Sequence, residues 1–235
     1  MKTSPHAVQR VAIYNNKGGG GKTTFAVHLA LLAEEWLINT FLVGLDRQGN
    51  ALHWISDSDA VAKEDAFFER SPHLSAVYSP QSMPEIENAE LVVADCPPEV
   101  EIALTVNPTL WVVPLHGRMA FQGLQNVLRD LIESRAEVLV VQNNVGRGGA
   151  AVARGMEKAL PFLKGVTIYP GGIPESDTVG RAEDCHAAAW ALPYAVKSKG
   201  AAALRELCEF ILRRCGFSPP PQDAKEKRRK GKGRL

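Results

Sequence analysis

Residues 17–24 read Lys17-Gly18-Gly19-Gly20-Gly21-Lys22-Thr23-Thr24. Four consecutive glycines place no Cβ in the way of a tight curl, so the backbone N–H groups can close around an anion. Lys22 adds a mobile ammonium for the β- and γ-phosphates of a nucleotide. The Thr23 hydroxyl can ligate Mg²⁺, a hard ion that takes oxygen ligands. A helix opening at Thr23 aims roughly half a positive charge at the same point. The chemistry that these residue types perform is the holding of a magnesium-bound triphosphate. General phosphate-loop spacing puts a glycine five residues before Gly21, where this chain has Asn16. The variant spacing Lys-Gly-Gly-x-Gly-Lys-Ser/Thr is matched throughout.

Two carboxylates follow apolar runs. Asp46 ends the run Thr40–Leu45, and Asp95 ends Leu91–Ala94, which Pro97-Pro98 stops. A carboxylate at a strand end can orient a water for in-line attack on a γ-phosphate or hold a water ligand of Mg²⁺. Both lie at carboxyl ends of strands, the edge at which open α/β sheets bind ligands.

These groups need a scaffold of alternating strands and helices, and the apolar pattern supplies one. Arg10–Asn15 reads as a first buried strand and Thr23–Leu37 as a helix, with Phe25, Leu29, Leu32, Ala33 and Trp36 at three- and four-residue steps. Further strands are expected at Thr40–Leu45, His73–Tyr78, Leu91–Ala94, Leu110–Leu115, Val138–Gln142 and Val166–Tyr169. Further helices are expected near Ala60–Arg70, Phe121–Ser134, Ala150–Leu163 and Ala201–Cys215. Continuous apolar strands alternating with helices predict an α/β fold: a mostly parallel sheet with helices on both faces. One domain is expected over residues 1–218, with Pro219-Pro220-Pro221 opening a disordered tail over 219–235.

The 235-residue chain is 45% hydrophobic and 23% charged, ordinary for a globular protein. No run of 18 apolar residues is present, and the first residues have no signal-peptide core, so a soluble cytosolic protein is expected. Cys96, Cys185, Cys208 and Cys215 show no metal-binding spacing, which argues against zinc, iron–sulfur and disulfide scaffolds. The net charge of +1 hides an asymmetry. Residues 224–235 carry seven Lys/Arg against one Glu, a local +6, which leaves −5 on the rest. Clustered cations of this kind can hold phosphates.

The loop resembles the deviant Walker A motif of the ParA/MinD family of P-loop ATPases, in which the extra lysine, here Lys17, reaches the partner's phosphates in an ATP-sandwich dimer. The stretch Val43–Ala51 is similar to the ParA run Asp-x-Asp-Pro-Gln-Gly-Asn-Ala, with Asp46 at the second Asp, Gly44 at the first and Arg47 at the proline. Leu91–Pro98 resembles the family's Walker B strand. The resemblance implies a short ParA-type ATPase without an N-terminal helix-turn-helix extension. Its catalytic residues would be Lys17, Lys22 and Asp46, with ATP and Mg²⁺ as cofactors. Gly18 to Gly21, Lys22, Thr23 and Thr24 would hold phosphate, Thr23 and (through water) Asp95 would hold the metal, and Asn143 or Asn144 and Pro174 would meet the adenine. It further implies a homodimer with ATP, nonspecific DNA binding, a ParB-like or other cargo adaptor and a nucleoid-associated place in the cytoplasm.

Arg181, Arg205, Arg213, Arg214, Lys227, Arg228, Arg229 and Lys230 are the expected DNA contacts. The tail lacks the apolar face that a membrane-binding helix needs, so no membrane partner is expected. The alternatives are a small-molecule ligase of the dethiobiotin synthetase type and a MinD-like positioning ATPase.

Overall fold

The computed structural model describes residues 7–56, 66–116, 120–131, 134–143 and 165–221. The elements in chain order are β1 (Gln9–Ile13), α1 (Lys22–Glu35), β2 (Thr40–Gly44), α2 (Asn50–Ser56), β3 (Phe67–Ser71) and β4 (Leu74–Tyr78). They continue with β5 (Leu91–Asp95), α3 (Val100–Leu104), β6 (Leu110–His116), α4 (Ala120–Asp130), β7 (Glu137–Asn143) and β8 (Val166–Ile173). Two helices close the order, α5 (Asp177–Gly180) and α6 (Lys199–Arg214), with 3₁₀ turns at Ala189–Ala191 and Ala195–Lys197 between them.

The strands form one eight-stranded sheet in the order β3-β4-β2-β5-β1-β6-β7-β8. All pairings are parallel except β3 with β4. The expected α/β class is therefore what the chain adopts. Side chains alternate across the strands, and β1 divides them cleanly. Val11 and Ile13 join one buried cluster with α1 and α6, whereas Ala12 and Tyr14 join another with α3 and α4. α1 is apolar nearly all round, as a helix covered on several sides must be. Phe25, Leu29 and Leu32 are almost completely buried in it, each burial stabilising by about 1.5–3 kcal/mol.

Strand order places the chemistry. β1 sits between β5 and β6, so the chain leaving β1 emerges where connections diverge to opposite sides of the sheet. Asp95 is in register with Ile13 on one side and Gly44 on the other. The ends of β1, β2 and β5 are thereby brought to one edge. Pro114, which cannot donate to a ladder, lies beyond Leu110–Val112, the part of β6 that pairs with β1.

One expectation fails. The helix near Ala60–Arg70 is not present over its last residues: Phe67–Ser71 is an antiparallel strand joined to β4 by Pro72-His73. Its residues are half-exposed on a sheet edge, where pairing with β4 outweighs helix propensity. The expected helix at Ala150–Leu163 lies outside the described residues, as does the tail beyond residue 221.

Candidate nucleotide site

The loop between β1 and α1 is held from below by asparagines. Asn15, 6% exposed, donates through Nδ2 to the Pro114 carbonyl at 2.6 Å and accepts the Lys17 N–H on Oδ1 at 3.0 Å. Asn143, at the end of β7, donates through Nδ2 to the Gly20 carbonyl at 2.9 Å. The chain turns through left-handed conformations at Gly19 (φ 72°) and Gly21 (φ 91°). A Cβ on Gly21 would collide with Asn143 Nδ2, so this position requires glycine on two counts.

Gly21 is also the N-cap of α1, and no side chain caps the helix there. The first-turn N–H groups are left for another acceptor, which is how a helix start receives an anion. Lys22 is 6% exposed and its ammonium donates to the Lys17 carbonyl at 3.3 Å. A buried cation against a carbonyl is poorly compensated, and phosphate oxygens would complete it. Lys17 itself is exposed.

Thr23 Oγ1 donates to Asp95 Oδ2 at 2.8 Å, while Asp95 Oδ1 is buried with no partner among the described residues. Burial, with Asp46 adding its charge, pushes the Asp95 carboxyl up to about 7, against the pull of Thr23 and Lys22. A cation beside it would reverse that penalty. An orphaned carboxylate oxygen next to a hydroxyl is a donor set that fits Mg²⁺. Cys96, completely buried, has its thiol pushed well up by burial and acts as core. Asp46 stands half-buried at the end of the β2 edge, its Oδ1 accepting the Gln48 N–H at 3.0 Å.

A cavity of about 380 Å³ adjoins the loop. Gly19, Gly21, Thr24, Asn143 and Pro174 line it, so the residues expected at phosphate and base share one space. Sequence reasoning missed its other walls: Phe25, Trp54, Val179 and Glu183. Trp54 comes from α2, whose seven residues are too few to show a helical period, and Val179 comes from α5, which has only four. Asn143 is engaged with the loop backbone as well as facing the cavity. Asn144, the other claimant, is outside the described residues.

Of the predicted DNA contacts, Arg181 follows the cavity-lining Val179 and Gly180, and Arg205, Arg213 and Arg214 lie on α6. Arg181 is exposed after α5. Arg205 pairs with Glu35 at 2.9 Å and Glu209 at 3.4 Å, Arg213 with Glu209 at 3.9 Å, and Arg214 with Glu137 at 2.9 Å. These three arginines already have carboxylate partners. Lys227, Arg228, Arg229 and Lys230 lie outside the described residues. Among the described residues no cluster of His, Cys, Asp and Glu forms a metal site of its own, and no helix is long and apolar enough to cross a membrane.

Fold and site together define a P-loop nucleotide-binding protein built on a parallel sheet. The model of the CobQ/CobB/MinD/ParA nucleotide binding domain matches residues 11–187, and the chain belongs to that family. It is 28% identical over 243 residues to the chromosome-partitioning ATPase Soj of Thermus thermophilus, covering 88% of this chain and 96% of that protein. It is 40% identical over 95 residues to the maintenance of carboxysome distribution protein A of Gloeobacter kilaueensis, a match spanning 40% of each. The septum site-determining protein MinD of Pyrococcus horikoshii, solved with Mg-ADP, shares the fold with a TM-score of 0.69 at 19% identity, over 87% of this chain and 96% of that one.

Proposed function

We propose that the chain is an ATP-driven positioning ATPase of the ParA type. Two copies clasp Mg·ATP between their phosphate loops. The dimer holds DNA without sequence preference, an adaptor of the ParB kind joins it to cargo, and hydrolysis returns the monomer. Similarity to a partitioning ATPase and a carboxysome-distribution protein supports the reading. The observation that carries it is the pair of lysines: Lys22 is buried within the cradle, while Lys17 stands exposed at its rim, available to a second copy.

The chain's own residues divide the work. The glycine backbone and the uncapped start of α1 bind the phosphates, and Lys22 neutralises the β/γ oxygens. Asp46 orients the attacking water, and Lys17 of the other copy stabilises the charge that develops in the transition state, as arginine fingers do. Thr23 and Asp95 would hold Mg²⁺, which supplies charge neutralisation at the phosphates when bound. The basic tail and Arg181 offer cations to DNA, and the site is placed in the nucleoid-associated cytoplasm on this reading.

Turnover measured with and without duplex DNA tests it. A several-fold rise with DNA, lost on deleting residues 222–235, is the expected outcome. A rate indifferent to DNA in a protein that stays monomeric with every nucleotide would instead favour a small-molecule ligase.

A further inference from the structure

The turn that carries Asp46 is held by a residue outside every motif described above. Asp46-Arg47-Gln48-Gly49 is a β-turn: the Gly49 N–H donates to the Asp46 carbonyl at 3.0 Å. The Gln48 N–H adds a second bond, to Asp46 Oδ1 at 3.0 Å. Arg47 occupies the second position of this turn. Proline is favoured there because its ring sets φ in advance, whereas arginine leaves φ free. Stiffness must come from another source.

Tyr78 ends β4 in register with Gly44, is 8% exposed, and donates its phenol O–H to the Arg47 carbonyl at 2.9 Å. Its ring lies beside Gly44, where an added Cβ would sit 3.9 Å from Tyr78 Cδ2. The next residue ties the same strand ends together, the Ser79 N–H donating to the Gly44 carbonyl at 3.0 Å. A rigid, buried ring thus brings one hydroxyl to the Arg47–Gln48 peptide, the central peptide of the turn that Asp46 opens. Among the described residues nothing else in the site uses that hydroxyl.

We infer that Tyr78 is a positioning residue for hydrolysis, its phenol fixing by a hydrogen bond the turn that a proline at position 47 would fix by covalent constraint. The inference rests on Asp46 as the water-orienting group. Tyr78→Phe removes one oxygen and keeps the ring. It is compared with Tyr78→Phe/Arg47→Pro and Asp46→Asn for kcat, KM, AMPPNP affinity and melting temperature.

In Tyr78→Phe, kcat falls roughly five- to tenfold, the scale of one lost hydrogen bond. KM and AMPPNP affinity stay within about twofold, because the binding residues are untouched. Adding Arg47→Pro restores kcat to within about twofold of wild type, since the ring sets the turn again. Wild-type kcat in Tyr78→Phe, a matching loss of AMPPNP affinity, or no recovery in the double variant overturns the inference. Asp46→Asn lowers kcat by about 100-fold or more. If it does not, the reading of Asp46 fails and the role of Tyr78 with it. An inactive Asp46→Asn beside a normal Tyr78→Phe sinks the role of Tyr78 alone.

Discussion

Lys22 and His28 lie six residues apart on α1, roughly 9 Å along the axis, and their surroundings are opposite in kind. Around Lys22 polar capacity is left open. The helix start is uncapped, the buried ammonium has a carbonyl for company, and Asp95 Oδ1 has no partner among the described residues. Around His28 everything is closed. Its Nε2 accepts the Ala189 N–H at 2.9 Å, which requires the proton on Nδ1, and Nδ1 meets the Thr24 carbonyl at 2.7 Å. Trp54 and Trp190 stand edge-on to the ring, each at 5.3 Å. Trp190 in turn donates to Glu35 at 2.7 Å, and Glu35 accepts from Arg205.

α6, which packs on α1, follows the closed pattern too, its N-cap Ser198 accepting the Ala201 N–H at 3.2 Å. Folded proteins satisfy buried polar groups, so unsatisfied ones mark where a ligand belongs. Polarity alone does not separate binding site from scaffold here; satisfaction does.

Removing the charge at the open end has the largest effect. Lys22→Ala lowers affinity for Mg·AMPPNP by about 100-fold, as loss of a desolvated charge-assisted contact does, while the melting temperature of the free protein changes little. Isothermal titration and a thermal melt read both. A large loss of stability with nucleotide affinity unchanged would place Lys22 with the scaffold and erase the contrast.

At the closed end the balance inverts. His28→Ala leaves the Ala189 N–H unpaired and a cavity between two tryptophans, costing about 3 kcal/mol at neutral pH by urea unfolding. Burial lowers the His28 pKa from 6.5 to about 4, against the pull of the Thr24 carbonyl. Because the folded value is depressed, the unfolded chain takes up the proton first as pH falls. The contribution is complete above pH 6.5 and is lost as pH falls toward 4, about 3 kcal/mol in all for a fully buried ring. His28→Ala lacks that slope. Equal pH dependence in both proteins would mean that His28 is not held neutral.

The two ends also differed in how far the sequence disclosed them. The glycine-rich loop stands out in the sequence because phosphate chemistry ties residue type to spacing within a short stretch, whereas Pro174 enters only through the family resemblance. The alternation of strand and helix was legible for the same local reason, in apolar period. His28 carried no such mark: its partner Ala189 is far along the chain, and only the packing of α1 against the 3₁₀ turn at Ala189–Ala191 gives the ring its role. Tyr78 read simply as the end of a strand, because its partner carbonyl comes from a turn on another strand. The sequence reads Phe67–Arg70 as the end of a helix because the pairing that makes β3 a strand is made with β4 across the Pro72-His73 turn, outside the stretch itself.

On the proposed function, Lys17 lets two copies share the cradle. Light scattering of the wild type and of Lys17→Ala, each with saturating Mg·AMPPNP, tests it most directly. The wild type is expected to move from 25.5 kDa to twice that mass while Lys17→Ala binds nucleotide and stays monomeric. A nucleotide-loaded wild type that remains a monomer, or a Lys17→Ala protein that dimerises and turns over normally, would contradict it.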